Sequence, residues 1–111
     1  MRQKKFKLSS DQIRELAPGR GACYATDHIT VDGKPVGYMY REAPDNELDS
    51  GWRFFSGEES QEYVDEPENT SIYDINTIAN YDKAILEYLD AAPGSRFERV
   101  PGSDTFKEIE E

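Results

Sequence analysis

The chain has 111 residues, with 23 Asp and Glu against 13 Lys and Arg, for a formal net charge of −10. That length suits one domain with a modest core, and the acidic balance argues against nucleic-acid and anionic-membrane surfaces, which need basic charge. The single cysteine, Cys23, excludes an intrachain disulfide framework and a cysteine-based zinc cage, and no apolar run reaches the roughly 18 residues of a membrane span.

The charge is uneven. Residues 1–41 carry a net +4, residues 42–68 a net −9 with Arg53 as their only base, and residues 69–111 a net −5. The start Met1-Arg2-Gln3-Lys4-Lys5 is basic, but the apolar run of a signal peptide does not follow it. With the lone cysteine, this reads as a cytoplasmic protein. The expected organisation is an arm and short helix over 1–19, joined to a globular unit over 20–111.

Phe6 and Leu8 alternate loosely, as an initial strand or an arm would. Ser9 with Gln12 has the spacing of a capping box, and Ile13, Leu16 and Ala17 give a short helix one apolar edge before Pro18-Gly19 stops it. From Gly21 to Arg41 the sequence reads as a hairpin turning at Asp32-Gly33. That turn would oppose Val31 to Lys34, Ile29 to Val36, Asp27 to Tyr38 and Ala25 to Tyr40 on the core side.

Ala43–Asn46 reads as loop, followed by an aromatic strand at Trp52–Phe55. Ser56 with Glu59 predicts a second capping box and a helix over Glu58–Val64. Ile72, Tyr73 and Ile75 predict a strand. Asp82 then caps a helix carrying Ile85, Leu86 and Leu89 that ends at Pro93-Gly94. Phe97–Val100 reads as a further strand, and Phe106 with Ile109 as an apolar tail. The expected class is α+β: a small domain with a mostly antiparallel sheet and two or three short helices.

No catalytic constellation stands out. His28 has no second histidine, and Cys23, five residues away, would point to the opposite strand face. The acids at Glu58, Glu59, Glu62 and Asp65 lack the alternation and central glycine of a calcium loop, so no metal or cofactor is expected. Gly19-Arg20-Gly21 lacks the spacing of a phosphate loop. The acidic run admits two readings, a solvated face or an interface for a basic partner. A small-ligand or cation site between the aromatic strand and the acidic turn, and a hydrolase using a carboxylate pair around Asp49 and Asp74, are the alternatives.

Three stretches carry a family likeness: Val36-Gly37-Tyr38-Met39-Tyr40-Arg41-Glu42, Asp49-Ser50-Gly51-Trp52-Arg53-Phe54-Phe55-Ser56-Gly57-Glu58-Glu59-Ser60 and Tyr73-Asp74-Ile75-Asn76-Thr77-Ile78-Ala79-Asn80-Tyr81-Asp82. Over about residues 20–107 the chain resembles a bacterial family grouped with the immunity proteins of polymorphic toxin systems, immunity protein family 33. The resemblance implies a non-enzymatic α+β protein that binds and neutralises a toxin domain. It points to the polar positions Arg41, Asp49, Glu58, Glu59, Asp74, Asn76 and Asn80 as contacts, while Trp52 and Phe54 read as structural. The acidic stretch adds Glu42 and Glu62 and suits a basic toxin cleft. Oligomeric state stays open, since an edge strand would permit a dimer.

Overall fold

A computed structural model describes residues 4–109, and among them six strands form one sheet. They are β1 (Ala22–Thr26), β2 (Tyr38–Arg41), β3 (Asp49–Phe55), β4 (Thr70–Asp74), β5 (Arg96–Arg99) and β6 (Phe106–Glu108). Their order is β4-β1-β3-β2-β5-β6, and every neighbouring pair is antiparallel except β1 with β3. Short α-helices lie at α1 (Asp27–Thr30), α2 (Gln61–Asp65) and α3 (Ile75–Tyr81), with 3₁₀ turns at Ser10–Gln12, Pro67–Asn69 and Lys83–Tyr88. The fold is α+β with a mostly antiparallel sheet.

The period of two in the strands divides the side chains between two faces. Cys23, Ala25, Met39, Trp52, Phe54 and Phe97 share one face, where they meet Ile29 of α1, Ile75, Ile78 and Ala79 of α3, and Ile85 and Leu89 beyond it. Trp52 stacks on Phe54 with ring centroids 5.9 Å apart, and its indole N–H donates to the Leu89 carbonyl at 3.2 Å. Burying each such side chain contributes about 2–3 kcal/mol. The aromatic strand is therefore the middle of the core, and α2 buries nothing.

The expected hairpin over 21–41 does not form. Residues 27–30 coil into α1, and β1 and β2 are separated by β3. The two-residue hairpin turn needs positive φ at both central residues, whereas here only Gly33 has it, at 76°, and among the described residues no residue other than glycine does. Asp32-Gly33 instead closes the helix, with the Asp32, Gly33 and Lys34 N–H groups donating to the carbonyls of Asp27, Ile29 and His28. A four-residue helix is too short to leave a periodic trace in sequence. None of the four expected cross-strand pairs is made.

Other boundaries shift for local reasons. Ser9 and Gln12 do form their box, the Ser9 N–H donating to the Gln12 side chain at 2.8 Å, but only a 3₁₀ turn follows and 13–17 runs without helix. The strand expected through Ile75 ends at Asp74, whose carboxylate accepts from the Asn76 N–H and caps α3. The helix expected at Glu58 begins at Gln61, capped by Ser60. Asp82 does act as a cap, for the 3₁₀ turn Lys83–Tyr88. The tail around Phe106 is strand β6, paired with β5.

Candidate binding surface

Helices and turns cover one face of the sheet; the other is laid out by the alternate residues. Across its middle the register aligns Ile72, Tyr24, Arg53, Tyr40 and Arg96 from β4 to β5. One step along, Phe55, Tyr38 and Glu98 align. Tyr38, Tyr40 and Phe55 form a ring cluster with centroids 5.8 to 5.9 Å apart, all three only half-buried. Ile72 and, on the loop before β3, Leu48 are exposed at 64% and 78%, unusual for large apolar side chains on a chain this acidic.

Arg53 is the buried charge of this face. Its guanidinium lies 4.4 Å from the Tyr24 ring centroid, donates twice to Asp49 at 2.9 and 2.8 Å, and donates to Glu42 at 2.6 Å, with Asp45 at 3.8 Å. A bulge makes this possible: between Ala22↔Asp49 and Tyr24↔Arg53, two steps on β1 span four on β3. Gly51 sits in the bulge at φ 91°, where an added Cβ would come within 2.2 Å of the Glu42 carbonyl oxygen. Hydrogen bonds from Arg53 hold the Asp49 carboxyl well below the usual carboxylate range against the opposing pull of burial, and the same bonds raise Arg53. The three carboxylates that could have gathered a cation thus surround the chain's own guanidinium. Among the described residues no group of three or more His, Cys, Asp or Glu side chains is arranged to hold a metal ion.

At the far end of β3 the turn 56–59 is built around Glu59. One of its oxygens accepts from the Thr26 hydroxyl at 2.5 Å and the Ser56 N–H at 2.8 Å, the other from the Gly57 N–H at 2.9 Å, and its side chain is 3% exposed. Burial pushes this carboxyl up, but the Thr26 hydroxyl and the backbone N–H groups outweigh it, leaving it lowered. His28 lies beside it, its Nδ1 2.9 Å from the Ser56 hydroxyl and 3.6 Å from Glu59, with its ring packed on Tyr63 at 4.2 Å. Serine, histidine and glutamate meet here through the same ring nitrogen, so the second nitrogen is not placed to relay a proton between them.

The remaining residues singled out in the sequence are spread over the molecule. Arg41 points to the core side, donating to the carbonyls of Ser50 at 3.0 Å and Ala91 at 2.7 Å, with its guanidinium 5.9 Å from the Trp52 ring. Asn76 and Asn80, one turn apart on α3, hold the N-terminal segment. Asn76 accepts from the Leu16 and Ala17 N–H groups at 2.6 and 2.8 Å, Asn80 accepts from Arg14 N–H at 3.0 Å, and both donate to the Arg14 carbonyl at 2.8 Å. This clamp was not readable from the motif, because its partners lie about sixty residues earlier. Asp49 and Asp74 flank Ala22 from opposite sides in the register, a strand apart, each already accepting from backbone N–H groups.

Of the ten carboxylates in 42–68, eight are exposed; Asp49 and Glu59 are turned inward. They do not make one patch. Glu42, Asp45 and Glu47 gather where β3 begins, while Glu58, Glu62, Asp65, Glu66 and Glu68 lie beyond its other end, so the length of β3 separates the two groups. Glu58 pairs with Lys34 at 3.2 Å. No helix among the described residues is long and apolar enough to cross a membrane.

Residues 23–110 match a family model described as the immunity protein Imm33 domain. Comparison with curated proteins and with solved structures finds no match.

Proposed function

The chain belongs to the Imm33 family of immunity protein domains, and from that premise we propose that it binds a toxin domain in the cytoplasm and blocks it by occupation rather than by catalysis. The observation that carries this reading is the open sheet face: half-exposed tyrosine and phenylalanine rings at its centre and exposed carboxylates gathered at both ends of β3. Aromatic centres with charged rims are how protein interfaces concentrate affinity and steer their partners. The acidic rim selects a basic toxin surface. Glu42, Glu58 and Glu62 are the exposed members of the expected contact set within the acidic segment, with Asp74 at the sheet edge; Arg41, Asn76 and Asn80 support the fold that presents them.

The test is capture followed by protection. The immobilised protein is exposed to a lysate of its source cells at low salt, bound proteins are eluted by a salt gradient, and each one identified is co-expressed with the chain. A basic protein that arrests growth alone, and no longer does so beside the chain, supports the reading. Reversing Glu58 and Glu62 to Lys is expected to slow association and weaken protection while leaving the fold intact. A toxin held equally well by the reversed variant overturns the acidic contact, and capture of non-toxic proteins alone overturns the immunity role.

A further inference from the structure

We propose that the cleft over Tyr38 and Phe55 receives an arginine or lysine side chain from the toxin surface, an inference that rests on the toxin-binding reading above. Tyr38 and Phe55 form its floor with ring centroids 5.8 Å apart, Val64 and Pro101 wall it, and Glu98 stands beside Tyr38 across the β2–β5 pairing. Aromatic faces with a carboxylate at their edge hold a cation by ring attraction and ion pairing together.

The same sheet face already holds a guanidinium in this way. Arg53 lies over Tyr24 with Asp49 and Glu42 as its counter-ions, and Arg96 lies 6.0 Å from the Tyr40 ring. The pattern of ring and carboxylate repeats at Tyr38, Phe55 and Glu98, and there Glu98 is exposed and pairs with no cation among the described residues. Arg99 also lines the cleft, but its guanidinium is engaged by Asp82 and by the carbonyls of Val36 and Ser103, each at 2.8 Å from the nitrogen that donates to it. Arg99 is therefore not paired with Glu98, and Lys107, opposite Glu98 in the β5–β6 register, makes no ion pair with it. Glu58 and the acids of α2 border the same end of the sheet, and their field favours an approaching cation over an anion.

The test needs no toxin. The isotope-labelled full chain is titrated with a short capped peptide containing two arginines, and separately with the same peptide carrying citrulline, which keeps the shape and removes the charge. Resonance shifts that saturate and centre on Tyr38, Phe55, Val64 and Glu98 are expected with the arginine peptide. Affinity should fall about two- to fivefold with citrulline, and by a similar factor in Glu98→Gln, an exposed and structurally mild change. Equal response to both peptides, shifts centred on 42–49 or on the outer side of α2, an unaltered Glu98→Gln titration, or no saturable shift overturns the proposal. A toxin still neutralised by a chain whose cleft ignores arginine would overturn this placement and leave the immunity reading standing.

Discussion

Asp49 and Arg53 stand four residues apart on one strand, yet their side chains meet in a two-pronged ion pair, Nη1 to Oδ1 at 2.9 Å and Nη2 to Oδ2 at 2.8 Å. In a regular strand about 13 Å would separate their Cα atoms. The bulge at Gly51 draws the two ends together, and the Asp49 carboxylate also accepts from the Gly51 and Asp45 N–H groups. One carboxylate therefore fixes the bulge, the loop before it and the buried cation.

Asp49→Asn leaves that cation with part of its counter-charge gone and is expected to cost about 3 kcal/mol, read from urea unfolding at neutral pH. The pH dependence has a definite sign. A carboxyl held below its ordinary value of 3.8 stabilises the fold above that value and loses the contribution as pH falls through it toward the lowered folded value. The unfolding midpoint of the native chain should begin to drop near about pH 5 and keep dropping well below 3.8, and the drop should be smaller in Asp49→Asn.

Gly51→Ala meets two obstacles at once. The backbone is in the left-handed region at φ 91°, and the added Cβ would stand 2.2 Å from the Glu42 carbonyl oxygen, so the Glu42 N–H to Gly51 carbonyl bond must also give way. A loss of about 2–4 kcal/mol is expected. Gly102→Ala, with a similar φ of 75° and nothing within 4 Å of the added carbon, should lose about 1 kcal/mol. Thermal unfolding of the pair separates strain alone from strain with collision.

Asn76→Ala removes the acceptor for the Leu16 and Ala17 N–H groups and a donor to Arg14. About 2 kcal/mol is at stake. Hydrogen exchange should quicken at Leu16 and Ala17 well before it changes at Trp52 or Phe54. Uniform acceleration across the sheet would mean that the clamp and the core are one unit.

Two neighbouring glutamates should answer very differently to the same change. Glu59→Gln places an amide where the carboxylate accepts from donors only, the Thr26 hydroxyl and the Ser56 and Gly57 N–H groups, and should cost about 2 kcal/mol. Glu58→Gln breaks only an exposed pair with Lys34 and should stay within about 0.5 kcal/mol of the native chain. Paired chemical denaturation curves check both.

The sequence is most legible where the physics is local. The aromatic strand, the Asp82 cap, the Ser9–Gln12 box and the α+β class all follow from residues within a few positions of each other. The 21–41 stretch misleads because Asp-Gly closes a four-residue helix as readily as it turns a hairpin, and the distinction lies in the φ of Asp32, which no pattern of side chains reports. Strand β3 entering between β1 and β2 is a long-range choice. So is the division of the acidic segment: composition shows ten carboxylates, but only the fold shows which two turn inward and that the rest stand in two groups. The amides of Asn76 and Asn80 read in sequence as exposed polar side chains, since their partners are some sixty residues away. Helix α3 is not anticipated by that reading: Ile72, Tyr73 and Ile75 suit a strand, although Ile75, Ile78 and Ala79 also fall at helical spacing.

The strand order carries a consequence for the growing chain. Among the described residues β1 pairs only with β3 and β4, and β2 only with β3 and β5. A nascent chain that has emerged only as far as Leu48 therefore holds two strands and not one ladder between them. Sheet assembly waits for Asp49–Phe55, which must enter between segments already made and satisfy both edges together. Synthesis then meets a cooperative step at mid-chain rather than a hairpin that zips as it leaves the ribosome.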